Sequence, residues 1–270
     1  MRAKSIFAAF VLTMLATHAD ADDGPIQDNS FLVEEAYNQD PGVVQHINTW
    51  QRSRGGDLVY SFTQEWPAPG LTHQLSYSIP IQRVDGTTGV GDVALNYRYQ
   101  WIGSSETPLA VAPRLSVLLP AGDERKDFGS GGLGLQFNLP VSWVLSPAWI
   151  THWNVGSTYT PNAKGANRQS FGKTDYALGA SVIWLSTANF NVMLETVYVN
   201  AGDMDENGKR HRDTTLLVSP GIRWAYNFAN GLQIVPGIAA PLGVGASRGE
   251  RSVLLYLSFE HPFGHGLASR

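Results

Sequence analysis

Cysteine is absent from the 270-residue chain. That excludes disulfides, thiol catalysis, cysteine-ligated zinc and iron–sulfur clusters, and also a lipidated bacterial N-terminus. Charge is scarce: 16% of residues are Asp, Glu, Lys or Arg, against about 25% in soluble domains. The formal net charge of -4 argues against nucleic acid, whose binding domains carry a basic excess. Long apolar runs are missing as well. The longest uncharged apolar stretch after the N-terminal segment, Leu232 to Ala246, is interrupted by Pro236 and Pro241. It is shorter than the roughly 18 residues of a spanning helix, so a helical membrane protein is excluded.

The chain begins with Arg2 and Lys4, an apolar stretch from Ser5 to Leu15, and Ala19-Asp20-Ala21 before Asp22. A basic start, a short apolar core and an A-x-A cleavage site predict a secretory signal peptide over 1–21. The mature remainder is poor in charge and rich in glycine and aromatics, with 28 Gly and 8 Trp.

From Val43 onward the dominant period is two. Leu71, His73, Leu75, Tyr77, Ile79 and Ile81 alternate with Thr72, Gln74, Ser76 and Ser78. Val93, Leu95, Tyr97, Tyr99 and Trp101 alternate with Asp92, Ala94, Asn96, Arg98 and Gln100. Helical geometry would scatter these sets; a pleated strand gathers each on one face. Twelve such segments are predicted at 43–54, 57–66, 71–81, 90–103, 109–120, 131–145, 147–160, 174–187, 189–201, 214–228, 231–245 and 251–263. Most exceed the five or six residues, roughly, of a soluble strand and suit the ~9–11 residues of a tilted transmembrane strand.

Connections alternate between tight turns and longer charged segments at 82–89, 121–130, 161–173 and 202–213, and every lysine after Lys4 lies in the latter. Outer-membrane barrels place short turns in the periplasm and long loops outside. Trp66, Trp101, Trp143, Trp149, Trp153, Trp184 and Trp224 cluster near the short-turn ends, where an indole belt marks an interface. The expected fold is therefore all-β: a transmembrane antiparallel β-barrel of twelve strands, both termini periplasmic. Its parts are a signal peptide (1–21), an N-terminal periplasmic arm (22–42), the barrel (43–263) and a C-terminal tail (264–270).

Several segments resemble a family of bacterial outer-membrane proteins named for the meta-pathway of phenol degradation, whose members are labelled transporters. They are FLVEEAYNQDPGVVQ (31–45), GVGDVALNY (89–97), PRLSVLLPAG (113–122), SPGIRW (219–224) and LYLSFEHPF (255–263). The resemblance implies an outer-membrane barrel with a role in uptake of aromatic or hydrophobic compounds. It brings no catalytic residues.

On the predicted polar face lie Glu65, Asp92, Arg98, Arg114, Asp175, Glu195, Arg223 and Glu260. Buried charge must be paired or wet, so these groups either pair across the lumen or line a pore. Asp92, Arg98, Arg114, Glu195, Arg223 and Glu260 are the expected solute path, its arginines able to attract aromatic carboxylates. Phe31 to Gln39 is a candidate short helix after Ser30. Glu34 and Glu35 are candidate plug residues that would meet lumen arginines.

Other motifs are weak. G-x-G-x-x-G at 129–134 is followed by a strand, not the helix a nucleotide site needs. Asp203-Met-Asp205-Glu-Asn207-Gly208 opens like a calcium loop but carries Thr214 where the bidentate Glu belongs. Lys209-Arg210-His211-Arg212 could touch lipopolysaccharide phosphates. His46, His73, His152, His261 and His265 show no ligand spacing, and no base–nucleophile pair is visible: His73 and Ser76 face opposite sides of a strand.

The expectation is an outer-membrane channel or transporter for small solutes, passive or facilitated, with no enzyme activity, cofactor or metal. Its partners are outer-membrane lipid, lipopolysaccharide and a small-molecule solute, not nucleic acid. The alternatives are a closed structural or adhesive barrel acting through loops 161–173 and 202–213, and an outer-membrane lipid hydrolase.

Overall fold

The computed structural model describes Ile26 and residues 28–263. The expected signal peptide, the start of the expected arm and the expected C-terminal tail lie outside the described residues.

Twelve strands form one closed antiparallel sheet. They are β1 (Val43–Ser53), β2 (Leu58–Pro67), β3 (His73–Val84), β4 (Thr87–Val90 and Val93–Tyr99), β5 (Leu109–Val111 and Arg114–Leu119), β6 (Gly134–Ser146), β7 (Trp149–Lys164), β8 (Ser170–Thr187), β9 (Phe190–Met204), β10 (Arg210–Trp224), β11 (Gln233–Ala239 and Leu242–Gly243) and β12 (Ser252–Pro262). Each pairs with its neighbour in sequence. The ring closes where Val43 of β1 opposes Pro262 of β12, in register through Ser53 and Ser252. Closure removes every sheet edge, as backbone polar groups in lipid require.

The structure decides which side of the period-two pattern faces out. Leu75, Leu95, Leu115, Leu135, Phe137, Leu178, Leu194 and Leu255 are exposed on the exterior. Their alternates, such as Gln74, Asn96, Ser116, Asn138, Ser181 and Ser258, are buried inside. An apolar exterior around a polar interior is the arrangement of a barrel solvated by lipid. Trp101, Trp143, Trp149, Trp153 and Trp184 stand on this exterior toward the short-turn end.

Two segments expected as long loops are largely strand. β7 and β8 run to a turn at 165–169, and β9 and β10 to a turn at 205–209. β8 has 18 residues, well beyond the ~9–11 that cross a bilayer, so these two hairpins project as a wall past the apolar band. Their polar residues pair across strands, and Ala163, Phe171 and Met204 form a small buried cluster near the tips. The sequence there lacks apolar alternation because no lipid covers it, and cross-strand pairing with that small cluster sustains the strands.

The segment 121–130 carries a short 3-10 turn at Glu124–Lys126 and folds into the barrel. Phe128 is buried against Gly89, where any Cβ would meet its ring at 2.2 Å. The G-x-G-x-x-G run serves this docking: a Cβ on Gly129 would meet Asp92 at 2.3 Å.

Candidate functional site

The interior of the barrel is organised by residues 28–40. The expected helix over 31–39 does not form; the segment is extended, with bends. A helix would satisfy its N–H groups internally, but here the barrel wall supplies acceptors instead. Leu32 N and Val33 N donate to Glu195 Oε1 at 2.7 and 3.1 Å. Glu34 N donates to Asn154 Oδ1, Ala36 N to Ser142 Oγ, Asn38 N to Gln100 Oε1 and Gln39 N to Gln74 Oε1. Arm carbonyls are served the same way. Asn154 Nδ2 donates to Glu34 O, Arg98 Nη1 to Glu35 O and Gln100 Nε2 to Ala36 O. Arg223 donates to the carbonyls of Asp28 and Asn29 through Nη1 and of Ile26 through Nη2.

These partners trace a circuit around the inner wall, from β3 past β4, β6, β7, β9 and β10 to β12. Gln45 on β1 closes it. Its Oε1 accepts from Gln39 Nε2 at 2.6 Å, and its Nε2 donates to Asp28 Oδ1 at 2.9 Å and to Glu260 Oε1 at 2.8 Å. Asp28 also accepts from Tyr256 and Ser258. The arm thus forms a ring inside the short-turn end.

Apolar anchors lock it. Phe31 sits over Gly221 and Gly237, where a Cβ would meet its ring at 2.7 and 2.4 Å, and lies 5.1 Å from the Tyr256 ring. Glycine at those two inward positions is a space requirement. Val33 packs closely on Gly179, where a Cβ would meet it at 3.1 Å. Tyr37 packs edge-on to His152, whose Nδ1 is 2.7 Å from Ser142 Oγ. That Ser–His contact is the pairing a hydrolase would use. It is fully covered by the arm, and the Ser142 oxygen already accepts from Ala36 N.

The lumen charges separate into distinct groups. Arg98 and Arg114 are direct cross-strand partners on β4 and β5, a repulsive placement that needs counter-ions. Glu65 answers Arg98 at 3.3 Å. Glu34 of the arm answers Arg114: Nη2 lies 2.6 Å from Oε1 and Nε 3.0 Å from Oε2. Asn138 Nδ2 completes the grip on Oε2 at 3.1 Å. Burial penalises the Glu34 charge, but Arg114, Arg98 and Asn138 together outweigh it and hold the carboxyl below its usual range. Among the described residues Glu35 has no such partner: burial, then the Asp28 charge, push it up to about 8.

Glu195 and Arg223 hold arm backbone, and Glu260 joins the Gln45 closure. They are not free to line an open path past the arm. Asp92 stands apart at the other end, where it accepts from Gly122 N and from Ser130 N and Oγ, holding the inward segment 121–130. The residues that sequence reading passed over are the uncharged wall anchors Gln45, Gln74, Gln100, Ser142 and Asn154. Polar residues at successive inward positions of short-turn strand ends were their only signal.

Two cavities lie above the arm ring, of about 390 and 350 Å³. Leu32, Glu34, Arg114 and Gln136 line both, so the Glu34–Arg114 pair stands between them. On the projecting β9–β10 hairpin, ligand atoms of Asp203, His211 and Asp213 lie within 4.8 Å of one another and could hold a metal ion. Asp205 caps the adjacent turn by accepting from Asn207 N and Lys209 N.

A family model described as "Putative MetA-pathway of phenol degradation" matches residues 21–254. Among solved structures, an outer membrane channel from Pseudomonas putida F1 aligns with a TM-score of 0.58 at 12% identity, covering 83% of this chain and 97% of that one. The NanC porin aligns with a TM-score of 0.53 at 12% identity, covering 79% and 98%. These likenesses are likenesses of fold. No curated protein matches the sequence.

Proposed function

Since the chain belongs to the phenol-degradation MetA-pathway family, we propose that it is an outer-membrane channel for small solutes, with the arm as a constriction at its periplasmic mouth. The observation that carries this reading is the polar, cavity-bearing lumen inside an apolar exterior. A purely structural barrel has no need for a hollow interior: with about eight strands, side chains fill it. The short turns mark the periplasmic side by the habit of outer-membrane barrels, which puts the arm there and the β7–β10 hairpin wall outside. Export by an N-terminal signal peptide is part of the same reading. Nothing in the chain supplies energy, so movement follows the solute gradient.

Solutes would enter from outside, past segment 121–130, and reach the two cavities. The walls there are mixed. Gln136, Asn138 and Thr158 offer hydrogen bonds, whereas Leu32, Val197 and Val199 offer apolar surface. Such walls suit small aromatic or amphipathic compounds better than ions alone. The mouth beyond is narrowed by the arm ring, so its hydrogen bonds set the resistance.

Conductance of the refolded chain in a planar bilayer, with and without residues 22–41, tests the reading. The expected result is small steps from the full chain and markedly larger ones after deletion. Silence from both overturns it and favours a closed barrel acting through its outer hairpins.

A further inference from the structure

Among the described residues, Arg114 is the one lumen arginine whose acidic partner comes from the arm and not from the wall or from backbone carbonyls. Without Glu34, two arginines would face each other across β4 and β5 with Glu65 as their only paired wall acid. The grip on Glu34 is that of a receptor for a carboxylate. One N–H donor, Nε, and a close ion-pair contact from Nη2 come from one guanidinium, and an amide donor comes from Asn138. The guanidinium is itself held in place by Asn96, Ser116 and Gln136, so it is oriented before any anion arrives. The Glu34 side chain is 31% exposed, and it is exposed to the cavities.

We propose that Arg114 and Asn138 form a solute carboxylate site and that Glu34 occupies it as a tethered internal ligand. The solute class is a small organic carboxylate with a compact apolar body. Its carboxylate takes the place of the Glu34 carboxylate. Its body lies in the second cavity against Leu32, Ala177, Val197 and Val199, the apolar part of its lining. The cavity volume of about 350 Å³ falls within the ~300–1,000 Å³ of small-molecule sites. Displacing Glu34 moves only a side chain. The arm backbone keeps its hydrogen bonds to Glu195, Asn154 and Ser142. The two cavities, divided by the Glu34–Arg114 pair, then become continuous.

The proposal rests on the channel reading for its biological sense, but its test does not need conduction. Equilibrium binding of sodium benzoate to the full-length, detergent-solubilised barrel is measured by titration calorimetry. Glu34 competes from a tether, at an effective concentration in the ~mM range. Glu34→Gln keeps the shape and removes the charge, so benzoate should bind about tenfold more tightly or better. Arg114→Gln should abolish binding in both backgrounds. Because that variant could misfold, benzamide, neutral and of the same shape, provides the second arm and should bind neither protein. Equal affinity of wild type and Glu34→Gln, or equal binding of benzoate and benzamide, overturns the proposal. Binding as expected in a barrel that does not conduct would refute the channel reading alone. Conduction without benzoate binding would refute this site alone.

Discussion

Replacing Arg223 by alanine should release the first part of the arm. Arg223 is buried and spans between β10 and the arm, donating to the carbonyls of Ile26, Asp28 and Asn29 at 3.2, 2.6 and 2.8 Å. Its Nε is fixed by Asn191 Oδ1 at 3.0 Å. Hydrogen bonds from a charged donor contribute ~1.5–3 kcal/mol each. Water in the lumen can take over some acceptors, so the low end applies. Three bonds then amount to roughly 4 kcal/mol, or about a thousandfold in the docking equilibrium of Ile26 and residues 28–31. The absence of cysteine makes the assay clean. Ser30, buried and 2.7 Å from Ser181 Oγ, becomes the only thiol in Ser30→Cys. Its rate of modification by a water-soluble thiosulfonate reports undocking when redocking is fast. The Ser30→Cys protein should be protected, and the Arg223→Ala double variant should react two to three orders of magnitude faster, roughly, by the same arithmetic. A rate change below tenfold, with the barrel still heat-modifiable on a gel, would show that the arm is held by its other contacts and that Arg223 is not its anchor.

Four further outcomes follow from the same geometry. Gly237→Val should expel Phe31, since even a Cβ there meets the ring at 2.4 Å; the overpacking costs ~1–3 kcal/mol, and larger conductance steps without loss of barrel formation would reveal it. Gly89→Val should displace Phe128 and segment 121–130 in the same way, seen as faster proteolysis within 121–130 in intact cells. Raising the pH should weaken arm docking through Glu35: its carboxyl, pushed up to about 8 by burial and by Asp28, is ordinary once undocked. The penalty is absent below about pH 4.5, grows as the pH rises, and levels off above about 8. Ser30→Cys labelling should therefore quicken across that window, and Glu35→Gln should flatten the profile. Leu135→Arg, on the exterior at 58% exposure, should destabilise the folded barrel by ~2–4 kcal/mol if that position sits near the membrane midplane. Urea titration of folding into vesicles would read it, and no change would place Leu135 outside the lipid band.

The outer hairpins show how context reshapes a readable pattern. Alternation fades after Tyr159 and before Thr174, which made 161–173 look like loop. Yet Phe171 pairs with Ala163 and Ser170 with Lys164. Strand pairing there is sustained by the adjacent strands, not by a lipid face. Phe31 to Gln39 shows the reverse. Ser30, Glu34 and Glu35 read locally as a helix start, but the wall amides and carboxylates at Gln74, Gln100, Asn154 and Glu195 offer competing partners for the same N–H groups.

Period two, strand length, the alternation of short and long connections and the one-sided tryptophan belt were enough to specify a twelve-stranded barrel with an apolar exterior. Those signals are local, because a pleated strand and a lipid solvent act on every second residue. The lumen is different. Which acid meets which arginine depends on strands brought together by barrel closure and on an arm that no periodicity describes. Arg98 and Arg114 lie 16 positions apart and become direct neighbours only through the β4–β5 register. Glu34 reaches Arg114 across 80 positions. Residue spacing carries no information about such contacts. The sheet register and the course of the arm decide them, because charge and hydrogen-bond complementarity act only between groups that the fold has already placed in reach.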